Sequence, residues 1–213
     1  MDHSTYILPM EQRRALDHDA VATLLALLFA LDDVVEIRCI PPRDRPDLRP
    51  YSHWYPAVVL ILPGHEFGGA AAVEQIASAN ARGYGVYFGI NPRRSAGLRG
   101  DDAIPLARCH FVDIDDPTLT VAALVERIHK AGWPEPEAIV NSGHGLWSYW
   151  MLDKPCTDLT VWRRRQGQLA TLLGADPTCK NPERVGRLPG YFNTKAIPFI
   201  QAQLLKPEVS HVN

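Results

Sequence analysis

The chain has 213 residues, 46% of them hydrophobic and 22% charged, with a formal net charge of −2. That length supports one large domain or two small modules around a real core. The near-neutral balance excludes bulk attraction to nucleic acid, so any such contact must come from a local patch. Four scattered cysteines, at 39, 109, 156 and 179, include no Cys-x-x-Cys pair. They argue against a zinc site or disulfide framework and make a reducing cytoplasm the expected compartment. No apolar run has the length of a membrane span, and the opening Met1-Asp2-His3-Ser4 lacks the basic-then-apolar pattern of a signal peptide.

Residues 17–31 carry apolar side chains on most faces and predict a largely buried helix, with Asp19 as its cap. Residues 34–40 alternate well enough for a strand. The Pro-, Arg- and Asp-rich stretch 41–50 is a loop or an arm. The short apolar run 57–62 is either a strand or the lead into a helix over 67–81, which Arg82-Gly83 closes. Residues 83–91 are rich in β-formers, with glycines that suggest a bulge or close backbone approach. The basic loop 92–101 follows, with Arg93, Arg94 and Arg99 as candidate nucleic-acid contacts; a solvated surface loop is the plainer alternative.

Phe-Val-Asp-Ile-Asp-Asp at 111–116 reads as a strand stopped by Pro117. Residues two apart on a strand face the same way, so Asp113 and Asp115 share one side and Val112 and Ile114 the other. Adjacent carboxylates repel unless a cation lies between them, and a divalent metal with hard oxygen ligands is the usual answer. The alternative is an acidic strand end that caps the next helix, and Asp116, on the opposite face, suits that role. An amphipathic helix at 118–131, a strand at 138–141, a tight turn at 142–145 and an aromatic strand at 146–152 come next. The turn, Ser142-Gly143-His144-Gly145, has backbone N–H groups that can cradle an anion; a plain hairpin tip with a surface histidine is the alternative. Helix 158–173 carries Arg163 and Arg164, either a solvated face or contacts to a nucleic-acid backbone. Arg187, Asn193 and Lys195 surround a Pro-Gly turn and suit phosphate and sugar. A last strand is expected at 199–205.

Together these stretches resemble the archaeo-eukaryotic primase superfamily, in the primase–polymerase form carried by plasmids, phages and other mobile elements. The resemblance covers roughly residues 67–205 and rests on three ordered stations. They are Phe-Val-Asp-Ile-Asp-Asp at 111–116, Ser-Gly-His-Gly-Leu-Trp-Ser-Tyr-Trp at 142–150, and Gly-Ala-Asp at 174–176 with Arg-Leu-Pro-Gly-Tyr-Phe-Asn-Thr-Lys at 187–195. The set in order is far more specific than any one motif. The sequence departs from the family pattern at Trp147, where the family has a histidine near the nucleotide phosphates; His144 sits three residues earlier.

The resemblance implies an α+β fold, with an N-terminal α/β module at 1–107, an RNA-recognition-like module with an antiparallel sheet at 108–205, and a loose tail at 206–213. The active site would lie in the cleft between the modules. It implies a DNA primase or DNA polymerase activity, nucleotidyl transfer from NTP or dNTP on a single-stranded DNA template. Asp113, Asp115 and Asp176 would hold two Mg²⁺ or Mn²⁺ ions, and Ser142, Gly143, His144, Gly145, Arg187, Asn193 and Lys195 the nucleotide. A helicase, or a helical module that completes priming, is an expected partner. Two other readings stay open on the residues alone. One is a primase-fold module without chemistry that binds single-stranded or origin DNA; the other is a metal-dependent nuclease or strand-transferase.

Overall fold

The computed structural model describes residues 16–64, 68–176, 178–195 and 198–205. The expected helix start at Phe67 and the expected tail at 206–213 lie outside them. Helix α1 (His18–Leu28) buries Leu24, Leu25 and Leu28 completely. Its cap is Asp17 rather than Asp19, because the Asp17 carboxylate accepts the Ala20 N–H at 2.9 Å. Asp19 already lies in the first turn, where the backbone is helical.

Strand β1 (Val34–Ile40) pairs antiparallel with β2 (Tyr51–Pro56), a strand the sequence did not announce. Tyr-Ser-His-Trp-Tyr-Pro has no apolar alternation, and β2 is a half-buried edge with nothing to bury on a second face. The ambiguous apolar run becomes a short helix, α2 (Ala57–Ile61). Its first free N–H groups are taken by the preceding turn, Ala57 donating to the Asp33 carbonyl at 2.8 Å and Val58 to Leu31 at 3.0 Å. Helix α3 (Gly69–Ala81) leads to β3 (Gly85–Gly89).

The second half runs β4 (Ala107–Ile114), α4 (Val121–Lys130), β5 (Ala138–Asn141), β6 (Leu146–Cys156) and α5 (Leu159–Leu172). Short strands β7 (Val185–Arg187), β8 (Phe192–Asn193), β9 (Ile200–Gln201) and β10 (Gln203–Leu205) follow. Thr120, not Asp116, caps α4. The Asp116 carboxylate instead accepts the Thr118 N–H at 2.9 Å, closing the turn that separates strand from helix.

Two four-stranded antiparallel sheets result, ordered β2-β1-β3-β7 and β10-β5-β6-β4. Stretch 108–205 does not stay in one sheet, because β7 crosses back to pair with β3, setting Arg187 opposite Tyr87. One core joins the sheets. Leu24, Ile37, Ile76 and Phe88 from the first half pack with Phe111, Tyr149 and Trp162 from the second. On the other face of the second sheet, Val112 and Ile114 pack against Leu124 and Ile128 of α4. The β4 alternation therefore leaves Asp113 on the side shared with Phe111, facing the first sheet.

Candidate active site

The acid strand is fixed from behind by Gln166 of α5. Its amide nitrogen donates to the Phe111 and Cys179 carbonyls, and its oxygen accepts the Phe111 N–H at 3.2 Å. One buried amide thus ties β4, α5 and the segment after α5 together, so Asp113 and residues 176–179 hold one relation to each other. The Asp176 N–H donates to the Asp113 carbonyl at 3.2 Å.

Asp113 and Asp115 line a cavity of about 370 Å³ where the two sheets meet. Asp113 is only 7% exposed, and its Oδ1 has no hydrogen-bond partner among the described residues. Burial, reinforced by the Asp115 charge, pushes its carboxyl up to about 7, against the pull of Arg184 and Lys195. Asp115, just past the strand, is exposed. Asp176 comes back beside the pair, but its carboxylate is engaged. It accepts from Thr178 at 2.7 Å and from Arg184 at 3.1 Å, and that same Arg184 nitrogen lies 4.0 Å from Asp113 Oδ2. The Thr178 bonds hold Asp176 below the usual carboxylate range. Among the described residues no group of three His, Cys, Asp or Glu side chains is arranged to hold a metal ion.

Cationic side chains share the cavity with the acids. Arg38 of β1, Arg184, Arg187 and Lys195 all line the cavity. Arg187 is 2% exposed, lies 4.0 Å over the Tyr87 ring and donates to the Tyr87 hydroxyl at 2.6 Å and to Asn193 Oδ1 at 3.1 Å. Its Nε and Nη1 have no partner among the described residues, so it keeps donors for an anion. Asn193 is a bracket more than a free ligand, since its amide nitrogen donates to the Ser142 carbonyl at 2.7 Å.

The turn between β5 and β6 does not form the expected anion cradle with its first three N–H groups. Ser142 N–H donates to the Gly145 carbonyl at 2.9 Å, Gly143 to Asn141 Oδ1 at 2.8 Å and His144 to Ser142 Oγ at 3.3 Å. Ser142 and His144 nevertheless line the cavity. The glycines have distinct local reasons. Gly143 has φ of 83°, which disfavours other residues. A Cβ on Gly145 would run into the Ile114 carbonyl and lie 3.0 Å from Asp115 Cα, so only glycine lets the turn press against the acid strand. Trp147 sits opposite Asp113 in the β4–β6 register, lines the cavity floor and stacks between Phe111 and Tyr149 at 5.9 and 6.3 Å. An aromatic stack occupies the position where the family pattern has a histidine.

The five arginines singled out as nucleic-acid contacts separate in space. Arg93 is a correction: it is 2% exposed and donates to Glu36 at 2.9 and 2.6 Å, so it braces the first sheet and does not meet a ligand. Arg94 and Arg99 are exposed, and Arg99 lies over Trp54 at 5.9 Å. Arg163 pairs with Asp101 at 2.6 Å, and Arg164 is exposed on α5. Sequence reasoning missed Arg38, Tyr87 and Arg184 as cavity residues. One signal existed for Arg38: Glu36 and Arg38 are same-side charges on an otherwise apolar strand.

The model of the RepB DNA-primase N-terminal domain family matches residues 93–209, more than half of the chain. Among solved structures, the AEP domain of the cyanophage S-2L primase–polymerase is similar with a TM-score of 0.69 and 25% identity, covering 90% of this chain and 91% of that one. A crystal structure of primase RepB′ is similar at 0.57 and 16% identity, over 87% of this chain and 56% of that one. The catalytic domain of primase RepB′ in complex with initiator DNA is similar at 0.55 and 17%, over 89% and 85%. No curated protein matches the chain by sequence. The fold is that of the archaeo-eukaryotic primase catalytic core in its plasmid and phage form. The chain belongs to the RepB DNA-primase N-terminal domain family.

Proposed function

We propose that the chain performs template-directed nucleotidyl transfer, joining an NTP or dNTP to a 3′-hydroxyl on single-stranded DNA, in replication of a plasmid- or phage-type element. The observation that carries this reading is the meeting in one cavity of a buried carboxylate, whose Oδ1 has no hydrogen-bond partner among the described residues, with several guanidinium groups. A metal-bound triphosphate needs both: oxygen ligands for the ion and donors for the phosphates.

The fit to a divalent ion is supported by Asp113 Oδ1, a buried acceptor with no partner among the described residues, and by Asp115 next to it. Asp113 and Asp115 would hold the first ion; Asp176 would join when Arg184 lets it go. When bound, two ions would lower the pKa of the attacking hydroxyl and stabilise the departing pyrophosphate. The chain's own side chains do the rest. Arg187 and Lys195 bind the phosphates, with His144 at the turn tip and Ser142 beside it. Tyr87 and Asn193 hold the Arg187 guanidinium in orientation. Trp147 keeps water from the floor. Placement plus charge stabilisation supplies most of the rate in such transfers.

The test is primer-free synthesis and primer extension on single-stranded DNA, with each nucleotide set and Mg²⁺ or Mn²⁺. Incorporation is expected in the wild type and absent in Asp113→Ala and Asp115→Ala with the fold intact. Variants that extend primers as well as wild type would reject the assignment. One observation favours a DNA-binding module without chemistry, namely Arg184 lying across Asp113 and Asp176. Calorimetric titration with Mn²⁺ and a nucleotide separates the two, since that module would give no heat.

A further inference from the structure

We propose that single-stranded DNA reaches the acid cavity along a groove on the outer face of α5, gripped by Arg164 and Lys180. The inference deepens the nucleotidyl-transfer reading and takes its partner from it. Helix α5 turns Trp162, Gln166, Leu169 and Ala170 to the core and leaves its other face bare. Two hollows, of about 540 and 890 Å³, lie along that face and share Arg163, Arg164 and Lys180. The larger one is also lined by Asn181 and Arg184, and both of those line the acid cavity. A continuous surface therefore runs from α5 past Lys180 to Arg184 and Asp113. Among the described residues no carboxylate lines either hollow.

The cations differ in what they already do. Arg163 is tied to Asp101, and Arg184 to the acids. Arg164 and Lys180 are exposed, and neither makes an ion pair among the described residues. The lining of α5 from Arg163 to Thr171 spans roughly 12 Å at the rise of a helix. That spread suits a run of successive phosphates better than one compact anion, in a chain whose net charge of −2 offers no general attraction.

Gly167, in the middle of α5 and in the groove, is the second observation. Glycine inside a helix is less stable than alanine. Protein packing does not require it here, since an added Cβ would meet a single atom within 4 Å, the Lys180 Cδ at 3.8 Å. What the missing side chain does is keep the groove floor clear.

The experiment is fluorescence anisotropy of a labelled oligo(dT) with the whole chain at several salt concentrations, beside thermal melting and calorimetry with Mn²⁺ and a triphosphate. The double variant Arg164→Gln/Lys180→Gln is expected to bind at least about tenfold more weakly, and its log K against log salt to be shallower by about 1.4, roughly 0.7 per lost phosphate contact. Gly167→Gln is expected to melt at or above the wild-type temperature yet bind the oligonucleotide more weakly. Triphosphate titration is expected to be unchanged in both. Wild-type affinity and salt slope in the double variant, wild-type affinity in Gly167→Gln, or a parallel loss of triphosphate binding would each overturn the groove while leaving the nucleotidyl-transfer reading standing. A wild type that binds no oligonucleotide and incorporates no nucleotide would overturn both.

Discussion

Each sheet of this molecule buries one acid near the cavity, and the two acids live in opposite circumstances. Glu36, on β1 of the first sheet, is fully buried and surrounded. Arg38 donates to it at 2.8 and 3.0 Å, Ser52 at 2.7 Å, and Arg93 at 2.9 and 2.6 Å. Burial alone would raise its carboxyl; the Arg38, Ser52 and Arg93 partners win and bring it down to about 2. Asp113, on β4 of the second sheet, is nearly as buried, has an oxygen without a partner among the described residues, and is pushed up to about 7. The same chemical group is a strut in one sheet and an unmet demand for a cation in the other. Neighbours, not burial, decide which.

Substitution should set the two acids apart most sharply at Asp113. Asp113→Asn is expected to cut nucleotide incorporation by at least about a thousandfold, the scale of the several kcal/mol a coordinated ion supplies. Its melting temperature should match or exceed that of the wild type, because a repulsion with Asp115 is relieved. A clear loss of stability would show that Asp113 is a strut after all. Glu36→Gln should do the reverse in calorimetric or denaturant unfolding, costing about 3–5 kcal/mol by leaving the buried Arg93 guanidinium without its anion.

The Glu36 contribution also has a definite pH signature. Its folded value lies below its ordinary 4.5, so the stabilisation is complete above that pH and is lost as pH falls towards about 2. The stability gap between wild type and Glu36→Gln should therefore narrow across that window; a gap that is constant with pH would reject the account. At the cavity, His144→Ala is expected to raise the KM for nucleotide about tenfold, or about 1.4 kcal/mol. An unchanged KM would remove His144 from the site. The smallest effect expected is Ser52→Ala, about 1 kcal/mol in denaturant unfolding, for the loss of one of several bonds to Glu36.

Much of the secondary structure was legible because its causes are local. The alternation in 34–40 and 111–114, the Pro-Gly punctuation and the apolar stripe of α4 each act within a few residues. What escaped depends on distant partners. Strand β2 exists because β1 offers it an edge, and α2 is a helix because the 31–33 turn meets its first N–H groups. At the site, Asp113, Asp115, Ser142, His144, Arg187, Asn193 and Lys195 could be named in advance because they sit in contiguous motifs. Tyr87 and Arg184 could not, and Arg38 showed only its same-side charge partner Glu36, since contacts distant in sequence carry all three to the cavity. Arg93 looked like an exposed loop cation because its partner, Glu36, lies 57 residues away. The turn at 142–145 looked like an anion cradle because a sequence does not show that Asn141 and Ser142 already accept its N–H groups.

The return of β7 to the first sheet has a consequence for how the protein is made. Arg187 pairs with Tyr87 across 100 residues of chain. As the polypeptide leaves the ribosome, β3 keeps an open edge until nearly the whole second half has followed it. The Arg187 and Lys195 part of the cavity is thus among the last to be assembled, and a nascent chain halted before residue 185 would carry the acids with Arg38 and Arg184 but without Arg187 and Lys195.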